Sequence, residues 1–144
     1  MFVLAELGDV YRVLLAVSDD VEQAAEQARF VATMPGAAEI DVHVTHAYDD
    51  ADERDPHGRP LPPAESDGVQ AVRERLAEPG LGVETHEAYQ PASEGIVDLA
   101  TDIDADLVVV GGRRRSPVGK ALFGSVTQSV VLDSPLPVVV VGVE

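Results

Sequence analysis

Two segments, ADLVVVGG at Ala105–Gly112 and LPVVVVGV at Leu136–Val143, are apolar at consecutive positions and no longer than a strand. A strand with one wet face alternates apolar and polar residues. A strand that is apolar without a break must be covered on both sides. Valine-rich runs of this length, bounded by glycine and proline, predict buried strands rather than helices.

The rest of the chain supplies the cover. RVLLAVS (Arg12–Ser18) is a third short apolar run, read as strand one. Behind it Val21, Ala24, Ala25, Ala28 and Val31 recur on one helical face, with Asp19 and Glu22 in capping-box spacing and Pro35-Gly36 as the stop. EIDVHVTHAY (Glu39–Tyr48) opens with Ile40, Val42 and Val44 in alternation and is strand two. A helix is expected over Ala64–Ala77, strand three over Leu81–Tyr89, a helix over Ala92–Ile103 and a last one over Ala121–Asp133. Strands alternating with helices of this length predict a single doubly wound α/β domain over 11–144, with a parallel sheet and helices on both faces. Residues 1–10 read as an N-terminal arm. The acidic, proline-rich stretch at about 49–63 reads as a mobile surface loop.

Composition narrows the function. With no cysteine, disulfides, thiol catalysis and thiolate-bound zinc are excluded. The N-terminus lacks a basic region and an apolar core of signal-peptide length, and no run reaches the roughly 18 residues of a membrane span. A cytoplasmic protein is expected. The formal net charge is −16, from 26 carboxylates against nine arginines and one lysine. Such a surface is the balance of a salt-adapted protein, and its field disfavours nucleic acid and anionic membranes as partners.

One segment breaks the pattern. Residues 107–132 contain Arg113, Arg114, Arg115 and Lys120 and not one carboxylate, while the six other basic residues share the remaining chain with all 26 acids. Signs segregated this sharply point to an anion site rather than a solvated face, the alternative being a loop salt-bridged to acidic neighbours. The segment follows strand four, and ligands of open α/β sheets sit beyond the carboxyl ends of strands. Its far end, Gly124-Ser125, opens a helix whose first amides attract anions, with Gly111 and Gly124 expected to allow unusual φ and close backbone approach. It is not a Walker A loop, because Arg114 and Ala121 stand where that motif needs Gly and Ser or Thr.

Strand four, Gly111, a 12-residue gap, Gly124-Ser125 and the closing VTQSVV and SPLPVVVV together resemble the universal stress protein family, from Arg12 to Val143. The resemblance implies sheet order 3-2-1-4-5 and, in one branch, an ATP or related adenine-nucleotide site with the pattern G-x2-G-x9-G-[ST]. Here the outer members are Gly111 and Gly124-Ser125, and the middle glycine is replaced by Arg114. That arginine either fills the phosphate space or grips phosphate with its guanidinium. After strand one the resemblance places Val17, Ser18 and Asp19 at the ligand, with Ser18 where the family usually has Asp. Asp19 then serves the ribose or caps the helix. Ala47 packs on the base or fills the core. Val110, Arg113, Val126 and Thr127 complete the implied site, and Mg2+ would accompany a polyphosphate.

Other signals are weaker. His46 lies near the same sheet edge, but no second ligand stands at a clear spacing, so no metal site is expected. The five carboxylates of Asp49–Asp55 lack the glycine and terminal Glu of a calcium loop. No base accompanies Ser125, so an enzyme is not expected, slow ATP hydrolysis aside. Two readings stay open: a stress-associated regulatory module that binds adenine nucleotide, or a non-binding adaptor of the same fold, acting through an unknown protein partner. In either case a homodimer is expected through Val138–Val143, whose apolar edge requires pairing.

Overall fold

The computed structural model describes residues 10–47, 56–58, 62–113 and 123–143. The N-terminal arm, most of the acidic loop, Arg114, Arg115 and Lys120 lie outside them. Among the described residues, the strands and α-helices run in the order β1 (Arg12–Val17), α1 (Val21–Ala32), β2 (Asp41–His46), α2 (Asp67–Ala77), β3 (Val83–His86), α3 (Ala92–Asp102), β4 (Leu107–Arg113), α4 (Ser125–Asp133) and β5 (Val138–Val143). The five strands form one parallel sheet of order β3-β2-β1-β4-β5. The doubly wound architecture expected from the sequence is the one observed.

The unbroken apolar runs have a direct explanation. Val13, Leu15 and Val17 of β1 point to one core with Ala24, Ala28 and Val31 of α1 and Val69, Val72 and Leu76 of α2. Leu14 and Ala16 point to the other, with Ala92, Ile96 and Ala100 of α3 and Val130 of α4. Both faces of β1 and β4 are dry, so neither strand alternates.

Element ends differ from expectation for local reasons. The α1 cap is Asp20, whose side chain accepts from the Gln23 amide, and not Asp19. Asp19 instead accepts a hydrogen bond from Ser66 at 2.9 Å, and the buried His46 Nε2 lies 3.2 Å from the same oxygen. The helix expected from Ala64 starts at Asp67. Pro63–Glu65 forms a 3-10 turn before it, and Ser66 caps it by accepting from Val69 N. Glu39 belongs to a short 3-10 turn, so β2 begins at Asp41.

Candidate functional site

The sheet splits where its order reverses. Pairing of β1 with β4 runs from Val13↔Leu107 to Leu15↔Val109, whereas β1 pairs with β2 as far as Val17↔His46. Beyond Leu15 the carbonyls of β1 and β4 face away from each other's amides and need other donors. Gln27 of α1, 1% exposed, supplies them: its Nε2 donates to Ala16 O at 3.0 Å and to Val109 O at 3.2 Å. A buried glutamine thus wedges the crevice open.

Over that wedge lies a cavity of about 280 Å3. Its floor is Ala16, Gln23, Gln27 and Gly111, and its far wall is Phe123, Gly124, Ser125, Val126 and Thr127. The absence of a side chain at Gly111 makes the floor: a Cβ there would meet Gln23 Oε1 at 2.6 Å and Gln27 Oε1 at 2.7 Å. Of the two roles expected for Gly111, unusual φ and close approach, the second is observed, and the groups that approach are two glutamine amide oxygens. For Gly124 the expectation of unusual φ is corrected. Its φ of −64° is open to any residue, and among the described residues nothing lies within 4 Å of a Cβ placed on it.

The start of α4 is bare. Gly124 caps it without a side-chain hydrogen bond, and no acidic residue occupies the first turn. The leading amides of a helix lack intrahelical acceptors and carry the positive end of its dipole. Thr127 ties this turn to β4, its Oγ1 donating to Gly111 O at 2.9 Å. The two ends of the glycine pattern, 13 positions apart in the chain, are joined by that bond.

Eight of the residues named from the sequence line the cavity: Ser18, Ala47, Gly111, Arg113, Gly124, Ser125, Val126 and Thr127. Val17 and Val110 do not; their side chains are buried in the cores on opposite faces of the sheet. Asp19 is turned away to Ser66 and His46, so neither capping nor the cavity wall is its place. Arg113 forms an ion pair with Asp20. Among the described residues, no carboxylate lines the cavity.

The family pattern of universal stress proteins matches residues 10–142, nearly the whole chain. The chain belongs to the universal stress protein family. A universal stress protein of Mycolicibacterium smegmatis is 38% identical over 79 residues, 54% of this chain and 61% of that one, under two thirds of its length. One from Synechocystis sp. is 27% identical over 135 residues, covering 92% of this chain and 86% of its own. Among solved structures, a universal stress protein from Archaeoglobus fulgidus superposes with a TM-score of 0.71 at 26% identity, covering 91% of this chain and 98% of that chain. A second Archaeoglobus fulgidus structure, in complex with dAMP, gives 0.62 at 24% over 91% and 97%, and a universal stress protein in complex with cAMP gives 0.62 at 20% over 94% and 100%. At those last two identities the likeness carries the fold alone.

Set on the universal stress protein pattern, Gly111 stands on the floor and Gly124-Ser125 on the far wall. The middle position, Arg114, lies outside the described residues. Sequence reasoning missed Gln23 and Gln27. The signal was present: Gln27 interrupts the stripe Ala24, Gln27, Ala28, Val31 at core spacing, and a lone amide in a core stripe implies backbone groups in need of donors.

Proposed function

We propose that this domain is a stress-associated regulatory module that binds an adenine nucleotide, ATP or a shorter relative, in the crevice between β1 and β4. The observation that carries the reading is the uncapped start of α4 opening into the cavity opposite Gly111. Phosphate oxygens would meet the amides of Ser125 and Val126 and the Ser125 hydroxyl, as anions do at helix N-termini. Ala47, at the end of β2, would lie against the base, and Ser18 near the ribose. The complexes of structural relatives with dAMP and cAMP support the choice of adenine. With no carboxylate among the described residues of the cavity wall, Mg2+ would be held by phosphate oxygens and water. Among the described lining residues no base stands beside a nucleophile, and we read the module as a binder, not an enzyme. We also propose a homodimer through β5.

The second reading, an adaptor whose crevice takes no nucleotide, has one observation in its favour. Arg113 is committed to Asp20, and 280 Å3 lies just below the roughly 300–1,000 Å3 usual for ligand sites. Arg114 decides between the two. Calorimetry with ATP and AMP at high salt should detect binding, weakened by roughly 1.5–3 kcal/mol in Arg114→Ala, the range of a hydrogen bond to a charged group. If Arg114→Gly instead creates or tightens ATP binding, the arginine is a plug and the adaptor reading holds.

A further inference from the structure

On the α3 side of the sheet, away from the nucleotide crevice, β2 and β3 each carry a carboxylate and a histidine two residues apart: Asp41-x-His43 and Glu84-x-His86. A period of two puts both members of each pair on one face. The register His43↔Glu84 and Thr45↔His86 then sets the two pairs side by side, diagonally offset.

The result is a convergent donor set. His43 is almost fully buried, its side chain 6% exposed. Its Nδ1 lies 2.6 Å from His86 Nε2 and 3.4 Å from Glu84 Oε2. One ligand atom from each of His43, Glu84 and His86 falls within 4.8 Å of the others. On its other side His43 Nε2 donates to Asp41 Oδ2 at 2.9 Å, and Arg12 Nε donates to the same carboxylate at 2.6 Å. That contact places the His43 proton on Nε2 and turns the Nδ1 lone pair toward His86 and Glu84. A carboxylate behind a ligating histidine is the arrangement that orients and strengthens metal-bound imidazoles. Thr45, buried in the same row and in register with His86, has a hydroxyl without a hydrogen-bond partner among the described residues.

We infer that His43, Glu84 and His86 form a binding site for a single divalent transition metal, zinc being the reference case, with Asp41 as the positioning residue behind His43. Two nitrogens and one carboxylate oxygen are ligands zinc accepts. Three protein ligands leave a fourth, solvent-facing position open at the exposed β3 edge. Two ligands about 2.0–2.1 Å from a tetrahedral metal stand about 3.3–3.4 Å apart. The imidazoles, stacked with centroids 4.9 Å apart, would therefore open by somewhat under an ångström. Without metal, the short N···N contact is a hydrogen bond from His86 to His43. On binding, the His86 proton moves to its own Nδ1, so a neutral imidazole ligates without net loss of charge.

The test is a titration of the metal-free full chain with ZnCl2 by calorimetry and with CoCl2 by visible absorption. One ion per chain is expected, with the intense cobalt bands of four-coordination. His86→Ala should abolish the saturable event. Glu84→Gln, at an exposed side chain, should weaken it with the circular dichroism unchanged, and Asp41→Asn should weaken it about 10–100-fold. His57→Ala, at an exposed position outside the cluster, should leave it unaltered. Absence of stoichiometric binding in the wild-type chain would overturn the inference, as would binding that survives both His86→Ala and Glu84→Gln. The nucleotide reading stands or falls separately.

Discussion

At the scale of residues, several positions act through what they leave out. Gly68, in the first turn of α2, faces the end of β1 so closely that a Cβ would lie 1.8 Å from the Ser18 carbonyl oxygen. That contact holds the β1–α1 turn, whose Ser18 Oγ accepts from Asp20 N and whose Ser18 borders the cavity. Backbone cannot rotate aside as a side chain can, so α2 or the turn must move. Gly68→Ala should lose about 1–3 kcal/mol, the usual range for overpacking. Chemical denaturation reads this as a lower midpoint at unchanged slope, and an unshifted midpoint would refute the close packing. The same residue scale explains what the sequence left unstated: Gln27 shows there as a lone amide in a core stripe, but its partner and that of His43 lie 82 and 43 positions along the chain.

Among elements, β5 is the apolar one of the two edge strands. It pairs with β4 from Val108↔Val138 to Arg113↔Val143 and with no other strand. Five of its six residues are half-buried despite being apolar. Beside it an open groove of about 700 Å3 runs between α1 and Val139–Val143, bordered by Glu22, Glu26, Arg29, Phe30 and Thr33. A long valine edge that pairs with one strand only among the described residues invites another, and a symmetry mate would close the assembly. Light scattering in molar salt should give twice the chain mass, and Val140→Lys, a charge set on the edge, should halve it. A monomeric wild-type mass would end the proposal. The position of β5 was implied by the family resemblance; its identity as a strand was plain from four successive valines.

For the molecule as a whole, charge is the dominant long-range term. Four of the five described arginines pair with a carboxylate: Arg12 with Asp41, Arg29 with Glu26, Arg75 with Glu78 and Arg113 with Asp20. The 26 acids far outnumber the ten bases, so at least 16 carboxylates have no Lys or Arg of their own to offset them. Salt shortens the range of their mutual repulsion to about 3 Å at 1 M. The melting temperature should therefore climb between about 0.1 and 2 M KCl. A flat or falling curve would remove salt adaptation as the reason for the composition.

Layers, strand count and the region of the site were written in the chain because they follow from local rules. Period and run length mark strands and helices, and continuous valines mark strands covered on both faces. A carboxylate-free basic segment singled out the stretch whose described ends, Arg113 and Gly124–Thr127, line the cavity. Strand order came from likeness to a family, since nothing local states which strands are neighbours. What only tertiary structure decided are the contacts between distant positions. The choice of Asp20 over Asp19 as cap depends on Ser66 and His46 claiming the latter, and the role of Gly111 depends on two glutamines from α1. The meeting of His43 with His86 depends on the register of two parallel strands, which the fold fixes through the packing between them and no single stretch of sequence encodes.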